Sequence, residues 1–424
     1  MRKMKDSGVS YIGEIPVSWS ITRNKNVFSC NKELVGSKSA TTQLLSLTTR
    51  GVKKKDINNL EGKLPESFDT YQFVKKNDIV MCLFDLDVSA VFSGISPFEG
   101  MISPAYKLMT CRSNMVPQYA DYWFRYISDG RKFNHYAKNI RYTLNYEDFS
   151  TLPVVLPSYA EQLLIADYLD SKCAKIDAII EKQQAVIEKL KAYKLSVITE
   201  AVTKGLNLDV EMKDSGIEFI GKIPAHWTVS KFKYLSQAIG DGIHTTPNYD
   251  ENGSAYFING NNIGEKFLVF KDGTNTVSDE ELSNYKLPLL TENTVFITLN
   301  GATYGKTSFY QGEKVLLGKS AGYITFNQSE NKEYLRYYLQ SNVAKLIMDL
   351  SLLGSTIANV SLRTLNNFII PYPSQSEQLD IVNYLNSKCK LLDENIVKKQ
   401  KIIERLQEYK KSLIYEVVTG KKEV

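Results

Sequence analysis

"LPSYAEQLLIADYLDSKCAKIDAIIEKQQAVIEKLKAYKLSVITEAVT" (Leu156–Thr203) returns as "YPSQSEQLDIVNYLNSKCKLLDENIVKKQKIIERLQEYKKSLIYEVVT" (Tyr372–Thr419). Pro157, Ser158, Glu161, Gln162, Ile165, Tyr168, Leu169, Ser171, Lys172, Cys173 and Asp177 all reappear in register. Each copy opens with a helix-start signature. The S-x-x-E spacing of Ser158 with Glu161, and of Ser374 with Glu377, lets the side chains satisfy free amides of the first turn. Steps of four and three then give Leu169, Cys173, Ile176, Ile180, Gln183, Ile187, Leu190 and Lys194 in one copy. The other gives Leu385, Cys389, Leu392, Ile396, Lys399, Ile403, Leu406 and Lys410. A mostly apolar 3.5-residue seam with Glu and Lys around it predicts two long helices that pair as a coiled coil. Both seams turn polar at the same steps, Gln183 or Lys399 and Lys194 or Lys410, a defect suited to fixing register. Asp170 and Ser171 are placed to cap a second helix and so to break the first.

Working outward, a second repeat precedes each domain. "MKDSGVSYIGEIPVSW" (Met4–Trp19) recurs as "MKDSGIEFIGKIPAHW" (Met212–Trp227). A period this long exceeds the roughly 20 to 50 residues of solenoid units and points to duplication of a whole domain. Between the repeats lie two segments with almost no mutual identity but similar texture. "QLLSLTT", "DIVMCLF" and "YKLMTC" in the first, and "AYFING", "TVFITL" and "GYITFN" in the second, read as strands. Each segment also has a helical aromatic run, "QYADYWFRYISD" from Gln118 and "EYLRYYLQS" from Glu333, whose spacing fits core packing.

The expected architecture is α+β: two pseudo-symmetric α/β domains separated by two long antiparallel coiled-coil helices. The boundaries are 1–155 for the entrance and first domain, 156–205 for the first helix, 206–371 for the second entrance and domain, and 372–424 for the second helix. The chain of 424 residues is long enough for two or three real cores. It shows no charged start before an apolar run and no apolar stretch of spanning length, which predicts a cytoplasmic protein with no membrane partner. Five scattered cysteines without a C-x-x-C pair fit reduced thiols, and three histidines make a histidine-built metal site improbable. A net charge of +5 permits a nucleic-acid partner without demanding one.

The chain resembles the specificity subunit of a type I restriction-modification system. The likeness rests on the I-G-x-I-P-x-x-W entrances (Ile12–Trp19, Ile220–Trp227), the two P-S-x-x-E-Q helix starts, and "DGIHTTP" (Asp241–Pro247), "NGATYGK" (Asn300–Lys306) and "GSTIANVS" (Gly354–Ser361) in the second domain. In the first domain "FDLDVSAV" (Phe84–Val91) and "KNIRYTLN" (Lys138–Asn145) stand where the last two stretches are expected. The resemblance implies a non-catalytic reader of double-stranded DNA. Each α/β domain would be a target recognition domain for one half of a bipartite, asymmetric site. The helices would hold the domains a set distance apart and dock two methyltransferase subunits, with restriction and translocase subunits joining the assembly. The partner would supply S-adenosylmethionine chemistry on a flipped adenine; the chain itself would carry no cofactor, metal or catalytic residue. Glu161, Gln162, Ile165, Leu169, Ile176, Ile180, Ile187 and Leu190, with Glu377, Gln378, Ile381, Leu385, Leu392, Ile396, Ile403 and Leu406, are the expected scaffold and docking positions.

No catalytic motif competes with this reading. "GATYGKT" (Gly301–Thr307) has three residues where a phosphate-cradling loop needs four between its glycine and Gly-Lys-Thr. No Asn-Pro-Pro-aromatic motif marks an adenine methyltransferase. The alternatives are a coiled-coil adaptor that never touches DNA, or a self-contained methyltransferase or nuclease of unfamiliar motif. For DNA reading, grooves and phosphates demand basic, amide and hydroxyl side chains on loops. In the first domain "TTRGVKKK" supplies Thr49, Arg50, Lys53, Lys54 and Lys55, expected in one loop, and a second cluster holds Lys138, Arg141 and Tyr142. In the second domain the candidates are His244, Thr245, Thr246, Asn261, Asn262, Thr303, Tyr304, Lys306, Ser355 and Thr356.

Overall fold

The computed structural model describes residues 2–30, 32–49, 51–56, 67–84, 86, 92–129, 132, 136, 143–207, 209–352 and 359–424. The chain forms two units, Met1–Gln184 with Lys401–Val424, and Ala185–Gln400. Both repeated segments are single unbroken helices, Tyr159–Lys204 (46 residues) and Gln375–Val418 (44 residues). Each contributes one part to each unit. The break expected at Asp170 does not occur, because its carboxylate accepts the Tyr122 hydroxyl at 2.7 Å instead of capping a new helix. In the first unit Lys410 reaches Asp177, and in the second Lys194 reaches Asp393. The partner number falls in one helix as it rises in the other, so the helices pair antiparallel.

In the first unit the entrance is a small antiparallel hairpin, Met4–Asp6 with Glu14–Pro16. Gly13 sits at φ +72°, a left-handed conformation open to glycine at little cost, and its N–H closes the turn onto the Val9 carbonyl. The domain that follows has a four-stranded sheet in the order Phe28–Ser29, Lys107–Cys111, Ile79–Met81, Ser93–Ile95. A hairpin, Leu45–Thr48 with Gly51–Lys54, packs on the last of these strands. The aromatic helix Pro117–Ser128 buries Tyr119, Tyr122, Trp123, Phe124 and Tyr126 in the main core, alongside Leu169, Cys173 and Ile176 from the first long helix and Leu413 and Val417 from the second. Apolar burial on that scale, at about 25 cal/mol per Å² of area removed from water, is the main force holding domain to scaffold.

The second unit repeats the plan. Its entrance hairpin is Met212–Asp214 with Lys222–Pro224. Its sheet runs Ser236–Asp241, Ala321–Phe326, Thr294–Thr298, Thr307–Phe309, and a second sheet pairs Ala255–Ile258 in parallel with Val315–Leu317. The helix Lys332–Leu339 buries Tyr334, Leu335, Tyr337 and Tyr338 against Val202, Ile381, Leu385 and Cys389. All six β runs named from the sequence are strands, and both aromatic runs are core helices. All five cysteines are free thiols, with Cys82, Cys173 and Cys389 buried.

Matching tyrosines fasten each aromatic helix. Buried Tyr119 donates its hydroxyl to the Val155 carbonyl at 3.0 Å and lies 3.4 Å from that of Val418, the last residue of the second long helix. Tyr334 does the same with Pro371 at 2.9 Å and Val202 at 3.2 Å, near the end of the first long helix. Two residues on, the copies diverge. Asp121 accepts the Ile95 N–H of the neighbouring edge strand at 3.1 Å and pairs with Arg125 at 2.7 Å. At the equivalent place Arg336 donates to the Thr307 carbonyl of its edge strand at 3.3 Å, and to the Glu265 carbonyl.

Candidate nucleic-acid interface

In the second unit, strand direction carries the candidate loops to one end of the sheets. Ser236–Asp241 ends beside the start of Ala321–Phe326, which pairs with the end of Thr294–Thr298, and Thr307–Phe309 begins next to that end. Ala255–Ile258 and Val315–Leu317 run parallel and finish together. The segments around 242–246, 259–262, 299–306 and 318–320 therefore leave the sheets on the same side. Backbone bonds knit them. Ile243 N–H donates to Leu317 O at 2.7 Å, Gly260 N–H to Ser320 Oγ at 2.9 Å, and Leu299 N–H to Ser320 O at 3.0 Å. Val360 N–H donates to Leu299 O at 2.8 Å, bringing the described end of the "GSTIANVS" stretch alongside. The packing is close enough that a Cβ on Gly242 would stand 2.2 Å from the Leu317 carbonyl.

The candidates divide by what they touch. His244, Thr245 and Thr246 are exposed, with His244 Nε2 2.9 Å from the Asp241 carboxylate. Their loop is braced by Glu281, which the sequence reading missed. It accepts the Tyr285 hydroxyl at 2.8 Å and both the backbone and side-chain N–H of Asn248, and these bonds hold its carboxyl below the usual range. Asn261 is exposed, but Asn262 is a buried turn residue. Its Oδ1 accepts the Asn259 N–H at 3.0 Å and its Nδ2 donates to Val269 O at 3.1 Å, so both ends of its buried amide are engaged in holding the turn. Thr303 and Lys306 are exposed on their loop. Tyr304 is not free: its hydroxyl is shared by Asp349 and by Lys345, the latter at 2.8 Å. Ser355 and Thr356 lie outside the described residues.

The described part of the first unit repeats one of these loop bonds. Leu144 N–H donates to Leu83 O at 2.8 Å, the counterpart of the Val360–Leu299 bond, just ahead of "FDLDVSAV", of which Phe84 and Leu86 alone are described. The basic stretch is not one loop. Thr49 stands at the tip after the strand Leu45–Thr48, and Gly51, at φ +88°, begins the returning strand Gly51–Lys54, with Val52 buried. Lys54 pairs with Leu45 and stacks its ammonium 5.0 Å from the Phe98 ring, and the Lys55 N–H bonds to Leu44 O. Lys53, Lys54 and Lys55 are thus drawn away from the tip, where Thr49 remains exposed. Arg50, Lys138, Arg141 and Tyr142 lie outside the described residues.

The scaffold positions fall into two kinds. Gln162 and Gln378 are fully buried; each donates to the preceding proline carbonyl at 3.1 Å, and Gln162 also accepts the Val116 N–H at the start of the aromatic helix. Ile165, Leu169, Ile176, Ile187, Ile381, Leu385, Leu392 and Ile403 are buried, and Ile180, Leu190, Ile396 and Leu406 are half-buried. These hold the fold, and the buried ones present no surface to a partner. Glu161 closes the predicted capping box with Ser158 and also accepts the indole N–H of Trp19 at 3.1 Å, with Arg2 beside it. Glu377 does the same with Ser374 and with Trp227 at 3.2 Å, joined by His226 at 2.7 Å. Burial disfavours both charges, but the indole, hydroxyl and amide donors outweigh it, and both carboxyls sit below the usual range.

Two domains of like plan, each built on parts of two long repeated helices, define a duplicated two-domain architecture. Residues 224–408 match the type I restriction modification DNA specificity domain. The chain is 25% identical over 279 residues to the type I restriction enzyme MjaVIII specificity subunit of Methanocaldococcus jannaschii, an alignment covering 64% of this chain and 63% of that protein. It is 23% identical over 435 aligned positions to the putative MjaX specificity subunit of the same organism, covering 97% and 95%. A chain from a structural study of complex assembly and conformational transition of the type I R-M system shares the fold, with a TM-score of 0.70, 13% identity, and 96% and 99% coverage. The chain is thus similar to type I restriction-modification specificity subunits, in its second domain by the family match and along nearly its whole length by a relative and by fold. Among the described residues no group of three or more His, Cys, Asp or Glu is arranged to hold a metal ion, and no helix is long and apolar enough to cross a membrane.

Proposed function

We propose that the chain is the non-catalytic DNA-reading subunit of a cytoplasmic modification assembly, each loop cluster reading one half of a bipartite double-stranded site. The observation that carries this is the shared plan of the two domains: segments of unlike sequence joined by the matching Leu144–Leu83 and Val360–Leu299 bonds, on entrances and long helices that repeat in register. Variable chemistry on a fixed frame suits recognition of two different half-sites. Adenine methylation falls to methyltransferase partners, which bring S-adenosylmethionine; restriction and translocase subunits complete the assembly.

Because the seam residues are buried, docking falls to the outer faces of the long helices. Leu163 and Leu379, Val186 and Ile402, and Tyr193 and Tyr409 are repeat-equivalent pairs that all remain exposed. A surface presented twice suits two copies of one partner. The test is to combine the chain with a cognate methyltransferase subunit and map adenine methylation on random-sequence DNA. A split motif with a fixed unspecified gap, formed only when both proteins are present, is the expected result. Methylation that ignores this chain would defeat the proposal.

A further inference from the structure

The segment Gly318–Ser320, between the strands Val315–Leu317 and Ala321–Phe326, has no part in the sequence-based reading, yet it lies at the centre of the second loop cluster. It is a tight turn: Ala321 N–H donates back to Gly318 O at 2.8 Å, and Gly318 N–H is held by Ile258 O at 2.8 Å. Three of the candidate loops lean on it. Ile243 bridges to Gly318, Gly260 donates to the Ser320 hydroxyl, and Leu299 donates to the Ser320 carbonyl. The backbone is therefore fixed from several sides, and the residue at its apex is Lys319, which is exposed.

Several other lysines of this domain are engaged. Lys314 pairs with Asp279, Lys345 with Asp349 and Tyr304, and Lys332 with the Glu292 carbonyl. Lys319 has no hydrogen-bond, ion-pair or ring partner among the described residues. An ammonium on a pinned turn, flanked by loops bearing His244, Asn261 and Thr303, is placed to neutralise a phosphate while its neighbours face base edges.

We propose that Lys319 is a phosphate anchor of the second recognition domain, an assignment that rests on the DNA-reading function above. The experiment titrates the full chain with random-sequence duplex DNA across about 50 to 200 mM salt. Each phosphate contact contributes about 0.9 to the slope of log affinity against log salt. Lys319→Ala and Lys319→Gln should each flatten that slope by about 0.9 and weaken binding by about three- to tenfold at 0.1 M salt. Lys319→Arg should preserve the slope, and Lys314→Ala, at an ion pair outside the cluster, should leave it unchanged. An unaltered slope in both neutral variants overturns the assignment, as does a loss confined to particular sequences, which would mark a base contact. If the unsubstituted chain shows no salt-dependent binding, the DNA-reading function falls with it.

Discussion

Lys194 Nζ lies 2.7 Å from both carboxylate oxygens of Asp393, and the repeat-equivalent Lys410 lies at the same distance from Asp177. Lys194 matches Lys410 and Asp177 matches Asp393, so one contact is made twice with the roles exchanged. This is the self-complementary pattern of an isologous interface, here within one chain. A polar step in each apolar seam thereby acquires a charged partner that accepts only one register, at some cost in seam burial.

A double-mutant cycle should resolve the pair. Half the Asp393 side chain is exposed (49%), which screens the interaction, so Lys194→Ala and Asp393→Ala should couple by about 0.5 kcal/mol in denaturant unfolding. Lys194→Glu should destabilise more than Lys194→Ala, and adding Asp393→Lys should restore most of the loss. Strictly additive effects would show that the bridge contributes nothing.

Glu161 and Glu377 predict a shared acid sensitivity. Their folded-state carboxyls are depressed, so their contribution is complete above the unfolded value of about 4.3 and is lost as pH falls through the lower folded values. Glu161→Gln keeps the shape but removes the charge. It should cost about 1 kcal/mol at pH 7 and make the first unit's stability flatter below about pH 5. A variant with the wild-type acid profile would refute the linkage.

Tyr119→Phe and Tyr334→Phe each remove a buried hydroxyl whose single proton is shared between two nearby carbonyls. Leaving those acceptors unpaired should cost about 1–3 kcal/mol, and a unit of this size should melt about 2–4 °C lower per kcal/mol. The effect should appear in calorimetry without any change in apolar packing. An unchanged melting temperature in both variants would mean that water replaces the hydroxyl.

Neighbouring asparagines separate folding from reading. Asn262→Ala removes the side chain that holds the 259–269 turn and should cost about 1–2 kcal/mol. Asn261→Ala, at an exposed position, should leave stability within about 0.5 kcal/mol and alter DNA binding instead. Equal stability losses in the two would contradict this division.

The duplication, the strands and the long helices were legible because each is a pattern in one dimension: identity in register, a period of two, a period near 3.5. Contacts between patterns were not. The polar steps Lys194 and Lys410 stood out in the seam, but their partners Asp393 and Asp177 lie on the opposite helix, at positions no periodicity marks. Lysines 53–55 were misplaced because the charge run outweighed Val52, whose single apolar side chain anchors that stretch as a strand. Asn262 and Tyr304 carry the right chemistry for a groove and spend it on their own fold. Lys319 escaped notice because a three-residue turn shows its importance only through the loops that lean on it.

Asp121 and Arg336 bear on where such a chain can be cut and rejoined. Each aromatic helix meets its edge strand through a buried charged residue, but one copy presents an acceptor to an N–H and the other a donor to a carbonyl. A hybrid joined between edge strand and helix would set Asp121, still paired with Arg125, against the carbonyl meant for Arg336, and a buried polar group left without its hydrogen-bond partner costs about 1–3 kcal/mol. Joined within the repeated entrances or helices, the same hybrid keeps every matched pair. The chain therefore favours exchange of entire domains over exchange of their parts.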